Sequence, residues 1–286
     1  MMTKLKIAIQ KSGRLSEGSL NLIRQCGIKI PRMKGALKAE ASNFPLEFLF
    51  LRDDDIPGYV QDGVADLGIV GANEAVEKDK HVDTIHHLGF SKCRLSIAIP
   101  KEKEYKGIQD LDGKSIATSY PKILGDYLQK EGVNAEIHEI SGSVEIAPNI
   151  GLADAICDLV STGSTLMQNN LKEVESIFTS EALMISTPGL SSEKQEIINQ
   201  LLFRINALQT AENNKYILLN APKDNLDTIL ELLPGMRSPS ILPLADEGFV
   251  SIHTVIAEDD FWSKIEELKA AGAEGILVVP IEKMII

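Results

Sequence analysis

The stretch that most constrains this chain covers residues 145–171, EIAPNIGLADAICDLVSTGSTLMQNNL. Ile146 and Ile150 stand four apart, the spacing of one helical face, so a helix is expected there. Residues 155–160 form a short, mostly apolar run with the length of a buried strand. Ser161, Thr162, Gly163, Ser164 and Thr165 follow, all small or hydroxylated. Such a loop can wrap its backbone N–H groups around an anion, and a helix starting behind it adds the positive end of its dipole. Asp154 and Asp158 lie just upstream, where acids suit ribose hydroxyls or a phosphate-bound Mg²⁺ better than the phosphates themselves. The plainer alternative is an ordinary strand–turn–helix with polar turn residues. Two acids together with five small or hydroxylated residues after an apolar strand favour the anion site.

At 286 residues the chain has room for two or three domains, and an apolar fraction of 44% is enough for packed cores. No apolar run reaches the ~20 residues of a membrane span. The start, MMTKLKIAIQKSG, is too short in apolar residues for an export signal, so a cytoplasmic location is expected. Cys26, Cys93 and Cys157 are odd in number and each sits among apolar neighbours, which reads as buried thiols in a reducing compartment. A net charge of −12 argues against a general nucleic-acid binder, while a local cradle of N–H groups and arginine still suits a small anion.

Along the chain, a strand over 5–9 leads to the turn Lys11-Ser12-Gly13-Arg14-Leu15, with Ser16 as N-cap of a helix carrying Leu20, Ile23 and Cys26 and ending at Gly27. Taken alone, Lys11 and Arg14 read as a solvated surface turn. A strand over 48–52 ends in Arg52-Asp53-Asp54-Asp55. Consecutive side chains point in different directions, so one aspartate capping the helix over 56–62 is a simpler reading than a metal cluster. A weak repeat follows. Gly63-Val64-Ala65-Asp66 precedes the strand 67–70 and the loop Gly71-Ala72-Asn73, and Gly151-Leu152-Ala153-Asp154 precedes the strand 155–160 and its loop. The repeat implies two α/β lobes, each offering a loop at the C-terminal end of a strand, where ligands of open parallel sheets bind. Residues 94–100 read as a strand leaving the first lobe. The strand 114–119 runs into Thr118-Ser119-Tyr120, a further polar loop or simply a cap by Ser119 on the helix that runs to Gly132. The strand 135–140 follows, residues 174–186 return the chain to the first lobe, and an amphipathic helix over 191–210 bridges to what comes next. There the pattern is strand 215–220, helix 226–233 closed by Pro234-Gly235, strands 240–244 and 249–257, helix 260–271 and strand 275–281, the β-α-β-β-α-β order of ferredoxin-like domains.

ADAICDLVSTGSTL resembles the phosphoribosyl-pyrophosphate loop of the ATP phosphoribosyltransferases, the first enzymes of histidine biosynthesis. The likeness extends to KSGRLS, RDDDIPG and LVVPIEKM, so it spans essentially the whole chain. It implies an α/β fold with a two-lobed, type II periplasmic-binding-protein-like catalytic body. Lobe I is expected over 1–97 plus 178–211, lobe II over 98–177, and a ferredoxin-like regulatory domain over 212–286, as in the long form of the enzyme. The implied substrates are ATP and 5-phosphoribosyl 1-pyrophosphate, with Mg²⁺ as cofactor and histidine as inhibitor. The resemblance places Asp154, Ala155, Asp158 and residues 161–165 at the phosphoribosyl donor, with Asp154 and Asp158 as the catalytic pair. Lys11, Gly13, Arg14, Arg52, Gly71, Asn73, Thr118, Ser119 and Tyr120 fall near ATP or pyrophosphate. Mg²⁺ would be held mainly by substrate phosphates, with Asp154 or Asp158 as candidate ligands. A regulatory histidine would meet Asn220, Met236, Ser240, Val255 and Gly275. Where Asn220 stands the family can carry an acid, and an amide offers a ligand amine only its carbonyl oxygen. Inhibition at a distance implies a homo-oligomer, dimer to hexamer.

The expected chemistry is attack of ATP N1 on C1 of the phosphoribosyl group with loss of pyrophosphate. N1 already carries a lone pair, so no strong base is required, and His81, His86 and His87 show no catalytic spacing. Two other readings share some of these features. A two-lobed solute-binding protein would normally carry an export signal. A catalytically silent regulatory paralogue fits poorly with an intact acidic pair and phosphate loop.

Overall fold

The computed structural model describes residues 3–31, 35–233 and 235–286, and these divide into two compact units, 1–199 and 200–286. Pro234, expected to close a helix, lies outside the described residues.

The first unit contains two sheets. The chain starts with β1 (Leu5–Gln10), α1 (Arg14–Gln25), β2 (Lys38–Glu40), β3 (Leu46–Leu51), α2 (Ile56–Gln61), β4 (Leu67–Gly71), α3 (Ala72–Lys78) and β5 (Asp83–His87). It crosses into a second sheet with β6 (Cys93–Pro100), β7 (Ser115–Thr118), α4 (Pro121–Glu131), β8 (Glu136–Glu139), β9 (Ala155–Val160), α5 (Ser164–Gln168) and β10 (Leu171–Ser180). It then returns as β11 (Ala182–Ser186) and enters α6 (Ser192–Glu212). The first sheet has the order β2-β3-β1-β4-β11-β5, with β3, β1 and β4 parallel; the second has the order β10-β6-β9-β7-β8, with β9, β7 and β8 parallel. The parallel strands are buried on both faces, hence their near-continuous apolar runs. Ile7, Ala8, Ile9, Leu67, Ile69, Val70, Ala155, Ile156 and Cys157 are all fully buried. Gly68 in mid-strand is needed for close packing: a Cβ there would meet Ile56 Cγ2 of α2 at 2.7 Å.

This is the two-lobed α/β body that was expected, with several local differences. β6 and β10 lie wholly in the second sheet, so the chain exchanges lobes at 88–92 and at Glu181, earlier and later than the expected boundaries at 97 and 178. Residues 145–150 form no α-helix. Pro148 and the left-handed Gly151 break the segment into two 3₁₀ turns, which bury Val144 and Ala147 and leave Ile146 and Ile150 exposed. Ser16 is not an N-cap, because α1 already starts at Arg14 behind Gly13, and Ser16 is buried inside it. Asp53–Asp55 makes a 3₁₀ turn, and Asp55 meets the start of α2 without a side-chain capping bond. Ser119 caps nothing; its hydroxyl donates to Ile140 O at 2.7 Å. Cys26 and Cys157 are buried, but Cys93 is only half-buried.

Ile198, Leu201 and Ile205 are buried along one face of α6, and the division between the two units falls within this helix. The second unit continues with β12 (Asn214–Pro222), α7 (Leu226–Leu232), β13 (Ser240–Pro243), β14 (Phe249–Ala257), α8 (Glu258–Ala270) and β15 (Glu274–Pro280). Its antiparallel sheet, β13-β14-β12-β15, is the ferredoxin-like order. Ile217, Leu219, Ala221, Val250, Ile252 and Ile256 alternate along β12 and β14 and pack with Ile229, Phe261 and Leu268 of the helices.

Candidate functional site

A cleft of ≈ 500 Å³ lies between the two lobes of the first unit, at the C-terminal ends of β1, β4, β7 and β9. From the first lobe come Gln10, Arg14, Asp53, Gly71, Asn73 and Glu74; from the crossing segment Ser91 and Lys92; from the second lobe Cys93, Tyr120, Glu145, Asp158, residues 161–165 and Ser180.

The second-lobe wall follows from the alternation of β9. Ala155 and Cys157 face one core cluster, while Ile156 and Val160 face the other with Val144, Ala147 and Leu166. Asp158 shares the parity of Ile156 and Val160 and stands one turn of the pleat before the loop. Burial raises its carboxyl to about 6, a hydrogen bond from its own neighbour Leu159 N at 2.7 Å opposes this, and Glu145 adds to the rise. Gly163, at φ 77, takes the left-handed turn, and Thr162 Oγ1 and Ser164 Oγ lie 3.1 Å apart. Arg94, paired with Glu173, holds Ser161 O at 3.4 Å and so steadies the loop's first residue. α5 is only five residues long, so its dipole adds less than expected, and the donors are chiefly the loop's own N–H and hydroxyl groups.

The first-lobe wall is built at the start of α3. Gly71 ends β4, and Asn73 folds back over it so closely that a Cβ on Gly71 would collide with Asn73 Oδ1. Ser180 Oγ donates to Asn73 Oδ1 at 2.7 Å and accepts from Asn73 N at 3.2 Å, which ties this wall to a crossing strand. Glu74 is 8% exposed, and burial first, then Asp53, raises its carboxyl to about 6. Its carboxyl faces the Tyr120 hydroxyl of the other lobe; burial and the neighbouring acids, Glu74 first, push that hydroxyl well above its ordinary range.

Of the residues expected at a site, Arg14, Gly71, Asn73, Tyr120, Asp158 and residues 161–165 meet at this cleft. Asp154 does not. It precedes the N-terminal end of β9, roughly 20 Å of extended chain from the loop. There it binds Ser115 N at 3.2 Å, Ser115 Oγ at 3.1 Å and Lys103 Nζ at 3.4 Å, and the Ser115 N–H, followed by the other contacts, holds its carboxyl below the usual range. It is a lock between β9 and β7. Ala155 is fully buried in the core. Thr118 is buried with its hydroxyl accepting from Tyr120 N at 2.9 Å, so it and Ser119 shape the turn that carries Tyr120. Lys11 and Gly13 adjoin the cleft without lining it, and the Arg52 side chain turns to Asp54 at 3.3 Å. Glu74, Asp53, Glu145, Gln10 and Lys92 were not expected. A glutamate in the first turn of a helix reads as ordinary dipole compensation, and only the packing of α3 shows that Glu74 is buried in the cleft wall.

Among the described residues no three His, Cys, Asp or Glu side chains converge on a metal position. The carboxylates that line the cleft are Asp53, Glu74, Glu145 and Asp158.

In the second unit, the register Ser240↔His253, with Asn220↔Ser251 and Tyr216↔Val255, sets Asn220, Ser240 and Val255 on the sheet face away from α7 and α8. Gly275 adopts φ 58 beside Asn220, whose Nδ2 a Cβ on Gly275 would approach to 3.2 Å, and Met236 is exposed. On the same face His253 is held between Tyr216 Oη at 2.7 Å and Ser251 Oγ at 3.1 Å.

The family described as ATP phosphoribosyltransferase matches residues 52–207, and the one described as HisG, C-terminal domain, matches 211–283. A protein of Cytophaga hutchinsonii named ATP phosphoribosyltransferase is 60% identical over 285 residues, covering 100% of both chains. One of Bacteroides thetaiotaomicron with the same name is 59% identical, covering 99% of this chain and 100% of its own. Among solved structures, an ATP phosphoribosyl transferase (HisG:HisZ) complex from Thermotoga maritima is 30% identical with a TM-score of 0.61, covering 71% of this chain and 96% of that one.

Proposed function

We propose, given that the chain belongs to the ATP phosphoribosyltransferase family, that the cleft of its first unit is where phosphoribosyl transfer takes place. The enzyme joins ATP to the phosphoribosyl group of 5-phosphoribosyl 1-pyrophosphate in the first step of histidine biosynthesis. The observation that carries the assignment of the site is the 161–165 loop opening into the cleft directly behind Asp158. The loop's N–H and hydroxyl groups hold the 5-phosphate. Asp158, ionised at neutral pH, takes the ribose hydroxyls or a phosphate-bound cation. Arg14, with Lys92, supplies positive charge to the ATP or pyrophosphate oxygens from the opposite wall, and Gly71, Asn73 and Tyr120 shape the space around them. ATP N1 attacks C1, the C1–O bond to pyrophosphate breaks, and pyrophosphate leaves with the electron pair. The oxocarbenium-like transition state is served by positioning and charge stabilisation rather than by a strong base. Mg²⁺, held mainly by the phosphates, neutralises charge on the departing pyrophosphate when bound. Incubating the protein with ATP, 5-phosphoribosyl 1-pyrophosphate and Mg²⁺ should release pyrophosphate and give N1-(5-phosphoribosyl)-ATP; no turnover of that pair would contradict the reading.

The second unit is a histidine sensor working in a cytoplasmic homo-oligomer, dimer to hexamer. Asn220, Met236, Ser240, Val255 and Gly275 form its ligand site, and the shared face of Asn220, Ser240 and Val255 supports that grouping. Histidine acts by preferring one arrangement of the assembly, with a coupling energy of about 1–3 kcal/mol. Ser240→Trp should leave turnover intact and abolish inhibition by histidine in the same assay. Inhibition equal to the parent's would place the sensor elsewhere. No helix among the described residues is long and apolar enough to cross a membrane.

A further inference from the structure

The two lobes of the first unit are joined covalently at 88–92 and at Glu181, and non-covalently by Ser180 with Asn73 and by a contact from α3 to α4. Glu77, in the last turn of α3, reaches from the first lobe to the head of α4 in the second. Its Oε1 accepts from Lys122 N at 2.8 Å and its Oε2 from Ile123 N at 3.0 Å. A helix offers its first amides no intrahelical partner. Leu124 N finds the carbonyl of Tyr120 at 3.1 Å, and Tyr120 at the N-cap provides no side-chain cap. The cap of this 11-residue helix therefore comes from the other lobe, as a carboxylate at the positive end of the dipole with charge-assisted bonds. One turn earlier on α3, at i, i+3 spacing, the Glu74 carboxyl faces the Tyr120 hydroxyl. α3 thus grips the head of α4 at two points, and the gripped Tyr120 lines the cleft.

A serine or aspartate at position 120 would cap α4 whether the lobes were together or apart. A cap supplied across the cleft stabilises α4 only when the lobes are in this arrangement. We infer that Glu77 is a positioning residue that keeps the two lobes in register, with Tyr120 against Glu74, so that both substrates bind a preformed cleft. The inference rests on that cleft being the site of phosphoribosyl transfer.

The test combines residue-resolved hydrogen exchange with steady-state kinetics on the full chain, for the parent, Glu77→Ala and Glu77→Gln. Glu77→Ala should lose protection at the Lys122 and Ile123 amides while those of β1 and β9 keep theirs. KM for both substrates should rise about ten-fold, with kcat within about three-fold of the parent. Glu77→Gln, whose amide oxygen can still accept one of the two N–H groups, should fall between. Protected amides in Glu77→Ala, or lost protection with unchanged KM, would overturn the inference. So would a joint fall of kcat and melting temperature in which Gln does no better than Ala, the mark of a purely structural residue. An inactive parent would instead overturn the reading of the cleft, and the inference with it.

Discussion

The two Gly-x-Ala-Asp turns of the first unit are alike at one end of their strands and unlike at the other. Gly63 and Gly151 both take left-handed conformations, at φ 67 and 74, and Ala65 and Ala153 are both buried. Asp66 N and Asp154 N each donate to the neighbouring strand, at Lys6 O and Ser115 O, both at 2.9 Å. The aspartate side chains reply, accepting from Lys6 N at 2.8 Å and Ser115 N at 3.2 Å, and each pairs with a lysine, Lys194 or Lys103. At the far ends the units diverge. β4 passes straight into α3 through Gly71, whereas β9 passes into five small or hydroxylated residues. The N-terminal ends are bonded alike in both copies, and the C-terminal ends open on the cleft. The two aspartates of β9 differ by the end of the strand they occupy: Asp154 ties β9 to β7, and Asp158 faces the cleft.

Substituting the two aspartates separately should divide their roles most sharply. Asp158→Asn keeps shape and removes the charge at the cleft, and should lower kcat about 100-fold. Asp154→Asn, far from the loop, should leave kcat within about three-fold of the parent. Comparable losses in both would erase the distinction. The glycines offer a gentler version. Gly151→Val and Gly163→Val each force a β-branched residue to positive φ, at a cost of about 1–3 kcal/mol and with similar drops in melting temperature. Only Gly163→Val should also raise KM for the phosphoribosyl donor, about 30-fold, by blocking backbone approach to its phosphate. Unchanged donor KM in folded Gly163→Val would remove the loop from the binding site.

Much of this frame was legible in the chain itself. β9 could be delimited to the residue, because an aspartate precedes its apolar run and a serine follows it. The ferredoxin-like order of the second unit was readable from alternation and turn residues. The 161–165 loop was legible because its members are contiguous. Asp154 was placed with Asp158 because both lie just upstream of the loop in sequence, and that nearness hides the four residues, about 13 Å, that separate them along the extended chain. Glu74, Asp53 and Glu145 gave no signal, since each becomes a cleft group only when packing brings distant elements together. Residues 145–150 looked helical from Ile146 and Ile150; the controlling residues were Pro148 and Gly151, which tighten the turns to a period of three.

Thermal stability against pH tests the assignment of the two aspartates most directly, because their signs are opposite. Asp158 has its folded value raised from 3.8 to about 6, so the folded state holds the proton more tightly. Its favourable effect is complete below the unfolded value near 3.8 and is lost as pH rises through about 6, a change of about 3 kcal/mol. Asp154 has its folded value lowered, so its contribution is present above 3.8 and disappears as pH falls through the folded value. At pH 8, Asp158→Asn should therefore melt above the parent and Asp154→Asn below it. Near pH 4 the Asp158→Asn difference should vanish, with Asp154→Asn beginning to converge at lower pH. If Asp158→Asn melts below the parent at pH 8, or Asp154→Asn above it, the roles assigned to the two ends of β9 are contradicted.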